Sequence, residues 1–217
     1  MTYYLTDNSH MLITGATGAG SRFGGKSSTA NWLFEQSVER GHFEAGIYFD
    51  PKGHSFIRGE TVYSLGELVG AWQRGQRLFH YVPSDPEPEH SNLIQALRNT
   101  SGQKIIVHDE AHSVADSDML DWCVRQGGNV GQRFATGDIR SVVVSQHPWD
   151  LPESVAQNVP LMVWVGPKTQ QAKRYFDTMG IGAAFAELPD APPYHWTVID
   201  AGEIVKTHSA VPEEYSK

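Results

Sequence analysis

Cysteine is nearly absent: Cys123 is the single thiol in 217 residues, so no internal disulfide can form. Its place beside Trp122 predicts a packed thiol in a reducing compartment. No apolar run approaches the roughly 18 to 20 residues needed to span a bilayer. The N-terminus MTYYLTDNSH lacks the basic region and apolar core of a secretory leader. These absences predict a soluble, cytoplasmic chain. Positive charge is also scarce, with 17 basic against 25 acidic residues and a net charge of −8. A uniformly basic coat is excluded, and any nucleic-acid contact must be local, as when several subunits each point a few Lys or Arg into a shared pore. Internal repeats and low-complexity tails are missing too. What remains, 40% hydrophobic residues with six Trp, predicts one domain over residues 1–217 with a core of comfortable size.

The richest stretch is SHMLITGATGAGSRFGGKSSTANWLF, residues 9–34. An apolar strand enters a Gly-rich turn, and Lys26, Ser27 and Ser28 open a helix. In such a loop Gly lets backbone N–H groups converge on phosphate oxygens, the Lys reaches the β- and γ-phosphates, and the next hydroxyl ligates Mg²⁺. The stretch therefore predicts a site for ATP and Mg²⁺, with Gly15, Thr17, Gly18, Gly20, Gly24, Gly25, Lys26, Ser27 and Ser28 around the nucleotide. Two registers satisfy the glycine rule. Gly20, Gly25, Lys26 and Ser27 fit G-x-x-x-x-G-K-S, whereas the strand runs directly into Gly15, which makes Ser21 to Gly25 an insert. The insert reading is preferred, and Lys26 and Ser27 keep their roles in both.

A second apolar strand, Lys104 to His108, ends in Asp109-Glu110. Asp109 supplies oxygen to a hard cation together with Ser27, and Glu110 polarises the attacking water. Adjacent acids at a strand end are otherwise an ordinary solvated turn; the phosphate loop upstream decides between the two. A third strand, Arg140 to Gln146, ends in Gln146, whose amide can contact the γ-phosphate or the lytic water. This order is that of an ATPase with an added strand between its first two motifs. His108 and His112 are four apart without a completing ligand set, so no zinc site is read from them; His10, His108 and His147 are taken as strand-flanking residues. DEAH at Asp109 to His112 does not make a helicase, because a second motor lobe is missing.

Strands are predicted near 10–14, 45–50, 77–82, 104–109, 140–146 and 160–165, and helices near 26–40, 66–74, 91–99, 115–127, 129–136, 152–158 and 168–179. Residues 85–89, DPEPE, read as a Pro-rich loop. The apolar positions of 115–127 read as core rather than as a cofactor box. Tyr194 to Ile199 and Glu203 to His208 predict a hairpin. The fold class expected is α/β: a RecA-like P-loop NTPase core with a mostly parallel central sheet covered by helices on both faces, plus a C-terminal β-hairpin.

Four ordered segments resemble the FtsK–HerA superfamily of ring-forming, DNA-pumping ATPases: HMLITGATGAG, YFDPKG at 48–53, VHDEAH, and SQHPWDLPESVAQNV at 145–159. The resemblance runs from about His10 to Lys168 and departs from the family pattern at the five-residue insert. It implies ATP hydrolysis coupled to translocation of double-stranded DNA by a homo-oligomeric ring, expected to be hexameric. Within the superfamily a minimal domain looks most like the genome-packaging ATPases of membrane-containing icosahedral viruses. Capsid or membrane vertex proteins are then the docking partners, in host cytoplasm or on the virion. A plasmid, conjugative or HerA-like cellular pump is the alternative, and a phage-extrusion type assembly factor indifferent to DNA is another. The resemblance also implies an arginine acting across the subunit boundary. Arg133 matches the family's place best, with Arg140 next and Arg125 as a further candidate. For DNA, the Lys52 to Arg58 loop is the first place to look, with Arg98, Lys173 and Arg174 scattered over helices.

Overall fold

Five strands, β1 (Met11–Gly15), β2 (Ala45–Phe49), β5 (Lys104–His108), β6 (Ile139–Val144) and β7 (Leu161–Val165), are buried at every residue. A strand with no solvated face needs cover on both sides, which parallel sheets obtain from their crossover helices. The computed structural model, which describes residues 10–15, 25–53, 57–127, 138–146, 148–159, 161–192 and 194–215, shows that arrangement. With β3 (Glu60–Val62), β4 (Leu78–Tyr81), β8 (Trp196–Asp200) and β9 (Glu203–His208), the strands form one sheet of order β3-β4-β2-β5-β6-β1-β7-β8-β9. Pairing is parallel from β3 to β7. The final two strands join antiparallel, as the predicted hairpin.

Period-two alternation divides the core between the two faces. On one face Leu12, Ile47, Phe49, Ile106 and Val143 meet residues of α2 (Leu65–Gln73), α3 (Pro86–Arg98), α4 (Asp118–Gln126), α5 (Glu153–Asn158), α6 (Gln170–Thr178) and α7 (Gly182–Glu187). On the other, Met11, Ile13, Tyr48, Val107 and Val142 pack with Ala30, Leu33 and Phe34 of α1 (Lys26–Glu39), beside Val211 and Tyr215 of the C-terminal segment. Among the described residues, α1 is the long helix of that face. Tyr215 donates to the buried Glu35 carboxylate of α1 at 2.8 Å, which ties the chain's end to the helix that opens the phosphate loop.

Several expectations need correction. Residues 85–89 are not a loop, because α3 begins at Pro86, seven residues before Leu93 supplies its first apolar core contact. Proline is favoured at the first helical position, where its missing N–H costs no hydrogen bond. Glu89 then reaches back to accept from the N–H groups of Ser84 and Asp85 at 3.0 Å and from Ser84 Oγ at 2.7 Å. The acidic, proline-containing stretch is thus a helix start. The helix expected at 115–127 is shorter, α4 over Asp118–Gln126, and follows a separate 3-10 turn at Ala111–Val114; its Leu120, Cys123 and Val124 are core. Strand β3 and helix α7 had no strong periodic signal. The helix expected at 129–136 lies outside the described residues. No helix among them is long and apolar enough to cross a membrane.

Candidate nucleotide site

The site forms where the carboxyl ends of β1, β5 and β6 lie side by side. β1 closes on Gly15, and a Cβ there would stand 2.1 Å from the Val165 carbonyl oxygen; glycine alone lets the two strands run together to that point. Thr17, Gly18, Gly20 and Gly24 fall outside the described residues. The chain is described again at Gly25, which has φ 119° and precedes α1 in a left-handed conformation. Gly25 has no side chain to cap the helix, and the first turn carries no acidic residue. The positive end of the helix dipole is therefore left to an external anion. Lys26 is the first helical residue and is buried, with Ser27 and Ser28 half-buried behind it. Burial pushes the Lys26 ammonium below its ordinary range, opposed by the charges of Glu110 and Asp109.

Strand order brings the acids to this helix. β6 lies between β1 and β5, so Asp109 and Glu110 leave the sheet two strands from the phosphate loop. Ser27 Oγ donates to Asp109 Oδ1 at 3.4 Å, the Tyr48 hydroxyl donates to Asp109 Oδ2 at 2.9 Å, and the Glu110 N–H donates to Oδ1 at 2.9 Å. Burial raises the Asp109 carboxyl above its usual range; the Tyr48 hydrogen bond opposes this and the nearby Asp50 adds to it. A hydroxyl and a carboxylate in contact are the oxygen donors that a hard cation such as Mg²⁺ takes, and the buried ammonium beside them suits an anion. Ser27 and Asp109 would hold that Mg²⁺, which would neutralise charge developing on the phosphates.

Glu110 has φ 48° and ψ 47°, a conformation that costs a non-glycine residue about 1 kcal/mol or more and is concentrated at functional sites. Its Oε1 accepts from Gln146 Nε2 at 3.1 Å, so the amide two residues beyond β6 meets the second acid directly. Lys52 Nζ lies 2.5 Å from the same oxygen, and His112 Nδ1 lies 3.4 Å from Oε2. The structure thus gathers Lys26, Ser27, Asp109, Glu110 and Gln146, as the sequence order implied.

Two members were missed. Tyr48 sits in YFDPKG, where alternation along β2 could have pointed its ring toward α1. Lys52 was assigned to a DNA-contacting loop; it is paired with Glu110 because β2 and β5 are neighbours, with Phe49 opposite His108. Other candidate contacts are likewise engaged. Arg58 pairs with Glu35 and Glu214, Arg125 with Asp121 and Lys173 with Asp177, while Arg98 lies over the Trp122 ring. Arg133 and His54 lie outside the described residues. Arg140 does not fit a finger acting across a boundary: it is 1% exposed, is the second residue of β6 at the end away from Gln146, and pairs with Asp138 at 2.8 Å.

The histidines read as strand-flanking are deeper than expected. His108 Nδ1 and His90 Nε2 are 2.9 Å apart, His108 Nε2 meets Ser141 Oγ at 3.1 Å, and His90 Nδ1 meets Ser117 Oγ at 3.3 Å. His10 Nδ1 accepts from the Ser141 N–H at 3.1 Å. Strand alternation turns His108 toward α3, away from the nucleotide face, so it works as buried scaffold; His147 lies outside the described residues.

No family model matches the chain, and no curated protein matches its sequence. Solved structures do match. The genome packaging NTPase B204 from Sulfolobus turreted icosahedral virus 2, in complex with ATPγS, superposes with a TM-score of 0.72 at 16% identity, over 96% of this chain and 100% of that one. The DNA-packaging ATPase B204 from Sulfolobus turreted icosahedral virus gives 0.67 at 15%, over 95% and 99%. This chain has the P-loop ATPase fold. The pCW3 conjugation coupling protein TcpA gives 0.59 at 15% identity, with 92% of this chain covering 59% of that protein. The likeness to the two B204 structures extends over essentially their whole length.

Proposed function

We propose that this chain is a member of the FtsK–HerA superfamily that binds ATP with Mg²⁺, hydrolyses it, and uses the cycle to drive double-stranded DNA into a viral capsid. The observation that carries the reading is the convergence of Lys26, Ser27, Asp109, Glu110 and Gln146 at the ends of three strands, with β6 between the phosphate-loop strand and the acid strand. Lys26 and the α1 N-terminus hold the phosphates, Ser27 and Asp109 hold the cation, Glu110 takes the proton of the attacking water, and Gln146 links that carboxylate to β6. General-base assistance of this kind supplies about 10²- to 10⁴-fold. The full-length likeness to two packaging ATPases supports the viral branch.

The net charge of −8 favours a ring, in which copies pool a few cations around a pore, over a lone DNA binder. Arg133 of a neighbouring copy is the residue proposed to complete each site, and capsid or membrane vertex proteins are the proposed docking partners. The TcpA likeness supports a conjugative pump as a second reading. The test is ATP turnover with and without linear duplex DNA, alongside Lys26→Ala. Duplex-stimulated turnover that is lost in Lys26→Ala supports a pump; DNA-indifferent turnover turns the reading to an assembly factor. No turnover in any condition removes it.

A further inference from the structure

The second strand's turn is built with unusual definition for a surface loop. Asp50 is 1% exposed, and its Oδ1 accepts the N–H groups of Lys52 at 3.1 Å and Gly53 at 3.0 Å. Asp50 Oδ2 meets His80 Nε2 at 3.1 Å. Gly53, at φ 64°, closes the turn onto the Asp50 carbonyl. The turn is thereby anchored at its base while the Lys52 side chain stays 52% exposed. Neighbouring parallel strands lie about 4.8 Å apart, and β2 and β5 end in register, so this turn stands beside Asp109-Glu110. Lys52 Nζ meets Glu110 Oε1, the oxygen that Gln146 also donates to, and His112 faces Oε2. The carboxylate proposed to accept a proton from water therefore carries two donors on one oxygen, one of them a full cation.

A carboxylate whose lone pairs are taken by an ammonium is a weaker proton acceptor and is held in a fixed direction. The same ammonium is half exposed to solvent, in a turn anchored at Asp50. We propose that Lys52 is a positioning residue that latches Glu110 in an inactive state, and that the phosphodiester backbone of duplex DNA releases the latch by drawing the Lys52 ammonium onto itself. Hydrolysis is then coupled to the polymer through one side chain: while DNA is absent the base is occupied, and when phosphate competes for Lys52, Glu110 is left to Gln146 and water. This rests on the reading of the chain as a DNA-stimulated ATPase.

The experiment compares wild type, Lys52→Met and Lys52→Arg for kcat and KM of ATP hydrolysis, with and without linear duplex DNA, and measures duplex binding separately by fluorescence anisotropy. Lys52→Met keeps the aliphatic reach without the charge. It should raise kcat without DNA by roughly tenfold, about 1.4 kcal/mol of barrier, at unchanged KM, and further DNA should add little. Lys52→Arg keeps the cation and should stay repressed and DNA-responsive, which a merely structural role for the side chain would not produce. Basal kcat in Lys52→Met equal to or below that of wild type overturns the latch, whether or not wild type responds to DNA. A wild type that hydrolyses ATP without responding to duplex, combined with a raised kcat in Lys52→Met, keeps the latch and overturns DNA as its release; the pump reading then fails separately.

Discussion

Acidification should begin to destabilise this protein below pH 6.5, before its carboxylates titrate, and the buried histidines set the size of the effect. Burial lowers His10 from 6.5 to about 4, with the Arg140 charge adding, and lowers His90 to about 4. His108 is likewise pushed well below its ordinary value by burial, with its two imidazole neighbours adding. Each ring is neutral in the fold but takes up a proton in the unfolded chain once the pH drops below 6.5. The stability gained by excluding that proton is complete above 6.5 and is lost progressively as the pH falls to about 4. Each ring contributes about 1.4 kcal/mol per pH unit, hence roughly 3 kcal/mol over the full window. Two such rings account for roughly 6 kcal/mol, a large share of the about 5 to 15 kcal/mol available to a folded domain. Chemical denaturation followed by circular dichroism between pH 7.5 and about 4.5 measures it. The slope should steepen below pH 6.5, and His90→Gln, which preserves hydrogen bonding to His108 and Ser117, should remove about one proton's worth of slope. A stability that is flat from pH 7 to 5, or a His90→Gln slope equal to that of wild type, refutes the reasoning.

Glu110→Gln should bind ATP with near wild-type affinity while turnover falls about 10²-fold or more, since the hydrogen bond to Gln146 can persist but the base is gone; near-normal turnover removes Glu110 from the chemistry. Tyr48→Phe deletes a donor to a buried carboxylate at 2.9 Å and should cost about 1.5 to 3 kcal/mol, read as a fall of several degrees in melting temperature with weaker Mg²⁺ dependence of turnover. Gly15→Ala puts a Cβ against the Val165 backbone, and β1 must separate from β7; loss of soluble folded protein is expected, and a wild-type melting curve contradicts that contact. Mixing Arg133→Ala with Lys26→Ala subunits should restore part of the turnover that each lacks alone, in proportion to protein concentration; full activity of Arg133→Ala by itself excludes it as the residue supplied by the neighbour.

The local chemistry of the site was legible in the sequence because it is written in contiguous motifs. Gly25-Lys26-Ser27 opening a helix, Asp109-Glu110 ending a strand and Gln146 following another are each set by local backbone preference, and their order along the chain implied the interposed strand. Continuous apolar runs also announced a parallel sheet, since strands buried on both faces have no alternation to display. The chain's start of α3 was misread because proline and acidic residues serve a loop and a helix N-terminus equally well; the apolar periodicity that separates the two begins only at Leu93. What tertiary structure alone decided are the contacts between residues far apart in sequence: Lys52 on Glu110, Tyr48 on Asp109, His90 on His108, and Arg140 turned into the core. Each follows from which strands are neighbours and which face a side chain takes. Sheet order comes from the global packing of crossover helices, which no local stretch of sequence encodes.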